Sequence, residues 1–173
     1  AFHKPAGIVC TTSKIDKNNV IDYLNFPERI YPVGRLDKES TGLLLLTNNG
    51  LLMDDVLRGS NYHEKEYIVH VNKPITDSVL QAMAQGVPIL DTITRPCKIR
   101  RMGKDCFYIT LTQGLNRQIR RMCEYFDYRV TSLKRIRIMN IELGSLPVGK
   151  WRELTPSEIK TLKNLAQNKG EAE

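Results

Sequence analysis

The sequence predicts an α+β protein built on a mixed, largely antiparallel sheet. Strand-like segments outnumber helical ones, and few of them are separated by a full crossover helix. Several alternate apolar and polar residues with period two, as half-buried antiparallel strands do. The 173 residues suffice for one substantial domain or two small ones sharing a core, and 41% hydrophobic and 26% charged residues are ordinary for a globular chain.

Residues 2–12, FHKPAGIVCTT, read as a turn at Pro5 and Gly7 feeding a short strand. A short helix is expected over 19–25. The run Gly42 to Thr47 has the unbroken apolar content of a buried strand, although so short a run also fits a helix. Asn49-Gly50 is a turn signal, and Leu51, Leu52, Val56 and Leu57 have helical spacing. Residues 65–71, KEYIVHV, alternate as a strand with Tyr67, Val69 and Val71 on one face. Pro74-Ile75-Thr76 precedes a helix with an apolar face of Val79, Leu80 and Met83, ended by Gly86. Three strands are expected in 87–112, with turns near Asp91 and Gly103 and with Phe107, Ile109 and Leu111 sharing a face. Gly114-Leu115-Asn116 is a loop, after which Ile119, Met122, Cys123 and Phe126 recur as a helix stripe. Residues 129–143 alternate as two strands. Thr155, Pro156 and Glu158 supply the cap, first-turn proline and capping-box acid of a last helix, and the tail NKGEAE is expected to fray.

Lysine and arginine outnumber acids by 26 to 19, giving +7 and a pI near 9.3. That excess fits a polyanionic partner, nucleic acid first, or else a merely basic surface. Three clusters, KIRRMGK at 98–104, RQIRR at 117–121 and KRIR at 134–137, look like the lining of a groove. Cys10, Cys97, Cys106 and Cys123 include no C-x-x-C pair, and there are three histidines. This argues against a zinc site or a disulfide framework, and for small buried hydrophobes in a reducing cytoplasm. No apolar run approaches the ~18–20 residues of a membrane span, and no secretory leader is visible. The chain begins at Ala1 with a strand-like segment close behind, so it reads as a trimmed fragment. Without a spare apolar stripe, a monomer is expected.

Three places could carry chemistry. Asp37 stands in a Gly-flanked loop beside Arg35, before the four leucines 43–46. No carboxylate dyad, Ser-His-Asp order or H-E-x-x-H accompanies it. An enzyme of this sequence therefore works with a lone carboxylate, as nucleophile or proton shuttle, helped by a cation that favours the ionised form. The bland alternative is a turn aspartate bonded to its own backbone. GLNRQIRRM, residues 114–122, places Arg117, Arg120 and Arg121 around an apolar helix stripe. Arg120, at the stripe's edge, can reach inward to a carboxylate bidentately, and the helix start can receive a phosphate; a solvated basic face is the alternative. Tyr67 is either a core tyrosine with a hydroxyl partner or an aromatic platform on which a base stacks.

These residues resemble a known family. VGRLDKESTGLLLLTNNG looks like the catalytic signature of the pseudouridine synthases, and HKPAGIVCTT resembles their N-terminal K-P-x-G motif. HEKEYIV resembles the K-x-Y-x-V strand, and GLNRQIRRM with VTSLKRIRIMNIELGSLPVGKWRELT resembles the third motif and C-terminal part. The likeness runs from Phe2 to about Leu165, and is greatest to the RsuA/RluB/RluE/RluF branch acting on single ribosomal RNA sites. It implies a mixed, mainly antiparallel sheet in two subdomains with a central active-site cleft, the whole of 1–173 being the catalytic domain. The small RNA-binding domain that usually precedes it in the family is absent from this chain. By the same resemblance Asp37 is the catalytic aspartate, Arg120 its basic partner, and Tyr67 the residue stacked on the target base. Arg35 fills the gap left by a flipped nucleotide. Lys4, Leu36, Leu115, Asn116, Arg117 and Arg121 bind or line. The implied substrate is a uridine in RNA, large-subunit (23S) ribosomal RNA foremost and transfer RNA second, and the isomerisation requires no metal or cofactor. Two rivals are a non-catalytic RNA-binding or ribosome-assembly protein of the same fold, and a metal-dependent nuclease using Asp54 and Asp55. Those adjacent acids read better as first-turn partners of a helix dipole.

Overall fold

The computed structural model describes residues 1–58 and 62–167, so the fraying expected from Asn168 onward lies outside the described residues. The leucine run is in strand β3 (Thr41–Thr47), flanked antiparallel by β1 (Phe2–Lys4) and β2 (Tyr31–Val33). Leu43 and Leu45 enter one apolar cluster with Ile138, Ile141 and Leu162, while Leu44 enters another with Phe2, Val20 and Leu36. A strand covered on both faces has no solvent side to mark with polar residues, hence the unbroken run.

Around it, local chemistry sets the boundaries. The strand expected after the Pro5–Gly7 turn precedes it instead. β1 ends at Lys4, and Val9 beyond the turn makes only an isolated bridge to Asn19. The turn's own backbone is committed elsewhere, Gly7 N–H donating to the Lys38 carbonyl at 2.7 Å. Helix α1 (Val20–Leu24) is capped by Asn19. Asn49 is likewise a cap and not a hairpin turn: its side-chain oxygen accepts from the Leu51 and Leu52 amides and starts α2 (Gly50–Leu57). Asparagine serves both purposes equally well. Met53 and Val56 pack α2 onto the core, and Asp54 and Asp55 lie past its first turn, so they are not dipole partners there.

The second half of the sheet is antiparallel, with β8 (Cys106–Leu111) inserted between β4 (Lys65–Val71) and the edge strand β7 (Lys98–Arg101). Helices α3 (Asp77–Gln85) and α4 (Gln118–Tyr125) contribute to a third cluster in which Val69, Phe107, Ile109, Met83 and Met122 are buried. Residues 87–112 hold four strands, not three. β5 (Pro88–Ile89) and β6 (Thr92–Ile93) form a separate hairpin through Leu90 and Asp91, at φ 47° and 59°. Two left-handed residues make the type I′ turn that suits such a hairpin, and two-residue strands are too short to show alternation.

Strand β9 (Val130–Ile138) joins the halves. It runs antiparallel to β4 and parallel to β3, with Thr41 opposite Lys134 and Gly42 opposite Arg135. The order is β1-β3-β9-β4-β8-β7, with β2 on β3 and β10 (Ile141–Glu142) on β9. The sheet is thus mixed and mainly antiparallel, as expected. Burial pushes the Cys97 thiol up to about 11 and Cys123 to about 12, as for inert core cysteines. Among the described residues no helix is long and apolar enough to cross a membrane.

Helix α5 (Pro156–Gln167) opens with the expected capping box: Glu158 N–H donates to Thr155 Oγ1 at 3.1 Å, and Thr155 N–H donates to Glu158 Oε1 at 2.9 Å. Arg152 grips both oxygens of Glu158, at 2.8 and 2.9 Å. Those hydrogen bonds, chiefly Arg152's, hold the Glu158 carboxyl at about 2 instead of the usual 4.5. A depressed carboxyl stabilises the fold above its ordinary value and loses that contribution as pH falls towards the folded one. Melting temperatures should therefore place wild type above Glu158→Gln at pH 6, with the gap closing between about pH 4.5 and 2. A gap independent of pH would contradict it.

Candidate active site

The loop before β3 is fixed from beneath. Lys4 is fully buried, and its ammonium donates to the carbonyls of Pro5 at 2.8 Å and Lys38 at 3.1 Å. Burial lowers the Lys4 pKa, while Cys10, Asp37 and Glu39 oppose the shift. Lys4 was expected to bind substrate; sealed under the loop, it positions the chain around Lys38 instead. Leu36 is also buried, and its amide donates to the Cys10 sulfur at 3.4 Å. Its side chain belongs to the cluster below the loop, which leaves it little surface for lining a cleft. Ser40 N–H closes the turn onto the Asp37 carbonyl at 3.0 Å.

Above this support, helix α4 brings its arginines to the loop. Arg120 Nε lies 3.4 Å from Asp37 Oδ2, across 83 residues of sequence, and its Nη2 donates to Ser40 Oγ at 3.0 Å. The fork is thus split between two partners, where a bidentate grip on the carboxylate was expected. Arg120 is mostly buried, but 29% of the Asp37 side chain is exposed, so the carboxylate can be approached. Among the described residues only Oδ2 is engaged, which leaves Oδ1 available.

Arg117 caps α4 in the left-handed region, φ 48°, and turns back over the loop. Its Nη1 is 3.8 Å from Asp37 Oδ2 and 3.3 Å from Glu39 Oε2. The Glu39 carboxyl is held below its usual range by its own backbone amide and then by Arg117. Gln118, buried at the helix start, was missed by sequence reasoning. It accepts from Leu115 N–H at 3.2 Å and donates to Gln113 at 3.3 Å, fixing the approach to α4. The available signal was its place four residues before Met122, on the apolar stripe. Arg121 is tied to Asn116, through the carbonyl and the side-chain oxygen, both at 3.0 Å. Leu115 packs half-buried on the core below, and Arg35 is exposed, with no polar partner among the described residues.

Tyr67 is half-buried on β4, between Ile109 on β8 and Arg135 on β9, and touches the apolar clusters of both halves. Its hydroxyl has no hydrogen-bond partner among the described residues, unlike an ordinary core tyrosine. The basic clusters are less free than expected. Arg101 is held by Asp77 and the Ile75 carbonyl, Arg137 by Glu64, Glu66 and the Met139 carbonyl, and Arg135 is buried. On β9, strand alternation sends Arg135 inward, so a linear cluster is not a continuous groove lining.

Sequence and structure comparisons agree on a family. The sequence model of the RNA pseudouridylate synthase family matches residues 1–125. The chain is 53% identical, over 167 residues, to a dual-specificity RNA pseudouridine synthase RluF of Salmonella typhi, covering 96% of this chain and 58% of that protein. It is 34% identical, over 176 residues, to the ribosomal large subunit pseudouridine synthase B of Bacillus subtilis, covering 96% and 72%. A crystal structure of a pseudouridylate synthase superposes with a TM-score of 0.85 at 30% identity, over 93% of this chain and 71% of that one. The chain therefore spans somewhat over half the length of the RluF proteins it matches, and it belongs to the RNA pseudouridylate synthase family.

Proposed function

We propose that this chain isomerises uridine to pseudouridine in RNA, acting on large-subunit ribosomal RNA. The observation that carries this reading is the meeting of Asp37 and Arg120 at an accessible carboxylate, with Tyr67 one strand beyond β9 in the same sheet. The chain's similarity to an RNA pseudouridine synthase and to a ribosomal large subunit pseudouridine synthase supports the reaction and the RNA class.

The reaction breaks the N1–C1′ bond, turns the uracil and joins its C5 to C1′. The target base is everted first, at a cost of a few kcal/mol. Arg35, exposed beside Asp37, fills the vacancy, while Arg117 exchanges its weak surface pairs for a phosphate. Leu115, Asn116 and Arg121 shape the adjoining wall. Asp37 either attacks C1′ or takes the C2′ proton to give a glycal, and both require the carboxylate form that a neighbouring guanidinium favours. Tyr67 carries the base on its ring and assists removal of the C5 proton. The pair of carbonyl bonds from Lys4 and the apolar anchorage of β3 keep the reacting oxygen in one place.

RNA labelled with tritium at uridine C5 tests the reaction, since with no methyl donor present isomerisation releases the label to water without cutting the chain. Absence of release from ribosomal RNA transcripts would overturn the reading. For Tyr67→Phe, the single-turnover rate should fall by about 10²-fold, as for loss of a proton-transfer group. RNA affinity should hardly change, because the stacking ring remains. An unchanged rate would remove Tyr67 from the proton step.

A further inference from the structure

Two cations beside Tyr67 have no counter-ion among the described residues. Arg135 is 3% exposed; its Nε donates to the Leu43 carbonyl at 2.8 Å, and its buried Nη2 has no partner among the described residues. Lys65 stands two residues before Tyr67 on β4, so both side chains rise from one face of the strand. Arg135, opposite Tyr67 on β9, shares that face. The Lys65 ammonium has neither a hydrogen bond nor an ion pair among the described residues. It lies against the loop leading to Arg117, where a Cβ added at Gly114 would stand 4.0 Å from it. Burial first, and then repulsion by Arg135, lowers its pKa.

A buried cation without an anion is costly, and two on one face are more so. The arrangement is economical only if negative charge arrives there during function. Asp37 does not supply it: the carboxylate is engaged by Arg120 and Arg117, and no acid approaches Lys65 or Arg135 within 4 Å among the described residues. RNA phosphates are better met by the exposed arginines at the rim. What comes next to Tyr67 is the base.

Under the function proposed above, on which this inference rests, the base becomes charged. When N1–C1′ breaks, its electron pair leaves with the uracil. C1′ is then closed either by a carboxylate oxygen of Asp37 or by a C1′–C2′ double bond formed as Asp37 takes the C2′ proton. On both routes the detached uracil is an anion, its charge spread over N1, O2 and O4, until C5 bonds C1′ as the Asp37 oxygen leaves C1′ or Asp37 returns its proton to C2′; the C5 proton then leaves and N1 is reprotonated. We propose that Lys65, with the Arg135 guanidinium behind it, is the subsite that stabilises this uracil anion. Lys65 is a catalytic residue that meets a base oxygen. Arg135 is a positioning residue: it holds the β3 backbone and keeps Lys65 turned towards the cleft.

The test varies the leaving group. Wild type, Lys65→Met and Lys65→Arg are compared in single turnover on two transcripts of large-subunit ribosomal RNA, one made with uridine and one with 5-fluorouridine. The C-nucleoside product, which on the fluorinated ring keeps its fluorine at C5 and takes up water at C6 because there is no C5 proton to lose, is counted by mass spectrometry after digestion. Fluorine withdraws charge from the ring, so the detached base needs less help. Lys65→Met should lose about 10²-fold on the uridine transcript, the usual cost of one donor to a developing anion, and about 10-fold or less on the fluorinated one. Lys65→Arg should recover most of the loss. An equal loss on both transcripts in a variant that melts like wild type would overturn the assignment, because a structural role is blind to the leaving group. Full activity of Lys65→Met would overturn it too. A wild type inert on both RNAs would instead overturn the proposed function, and this inference with it.

Discussion

Asparagine at position 37 is expected to lower turnover by about 10⁴-fold or more, the order reached when an enzyme's nucleophile is removed, with RNA binding unchanged or slightly tighter. The substitution is nearly isosteric. The amide oxygen can still accept from Arg120 Nε, and the backbone bonds from Ser40 N–H and the Lys4 ammonium, through Lys38, do not involve the side chain. The loop should therefore keep its shape. A neutral amide neither attacks C1′ nor accepts a proton from C2′, so chemistry stops. Binding does not suffer, because removing a negative charge from a surface that meets phosphates lowers repulsion. Tritium release under multiple turnover and a filter-binding Kd separate the two effects. If turnover survived, the neighbouring Glu39, 59% exposed and paired with Arg117, would become the carboxylate to examine, and the reading of Asp37 would be lost.

What the sequence disclosed, and what it concealed, follows from the range of the interactions. Capping is local, so Thr155 with Glu158, and Thr76 before α3, were legible from spacing alone. Face alternation is local too, and placed Val69, Phe107 and Ile109 in the core. Asn49 defeated the same method because one local chemistry serves two structures. The adjacency of Asp37 and Arg120 depends on folding across 83 residues, and no spacing rule reaches that far; only the ordered motifs suggested it. Lys4 and Arg135 mark the deeper limit. The resemblance implied that Lys4 binds substrate and the basic cluster suggested that Arg135 lines a groove, yet Lys4 is spent on two carbonyls and Arg135 is in phase with buried Leu133. For Arg135 that phase was visible, a cation on the apolar parity of a strand. Gly42 looked like no more than the start of a strand, since its function lies wholly in which chain passes beside it.

That function makes Gly42→Ala the substitution with the largest expected effect on stability, more than about 4 kcal/mol, or outright failure to fold. Gly42 sits at φ +108°, and a Cβ there would stand 2.6 Å from the Arg135 amide nitrogen and closer still to its carbonyl oxygen. Backbone cannot swing aside as a side-chain tip can, so β3 and β9 would have to part along their parallel pairing, which consists of Thr41–Lys134 and Gly42–Arg135. Gly144→Ala isolates the conformational component. Its φ is +56° with nothing within 4 Å of the added Cβ, so it should cost only about 1–2 kcal/mol. Urea midpoints of the two variants against wild type give the comparison. The consequence for chemistry follows from the same seam. Asp37 is held by the half that contains β3, and Tyr67 by the strand on the far side of β9, so whatever spreads β3 from β9 moves the carboxylate away from the Tyr67 ring. A Gly42→Ala protein as stable as Gly144→Ala would mean that the seam yields easily, and the fixed separation of Asp37 and Tyr67 would need another cause.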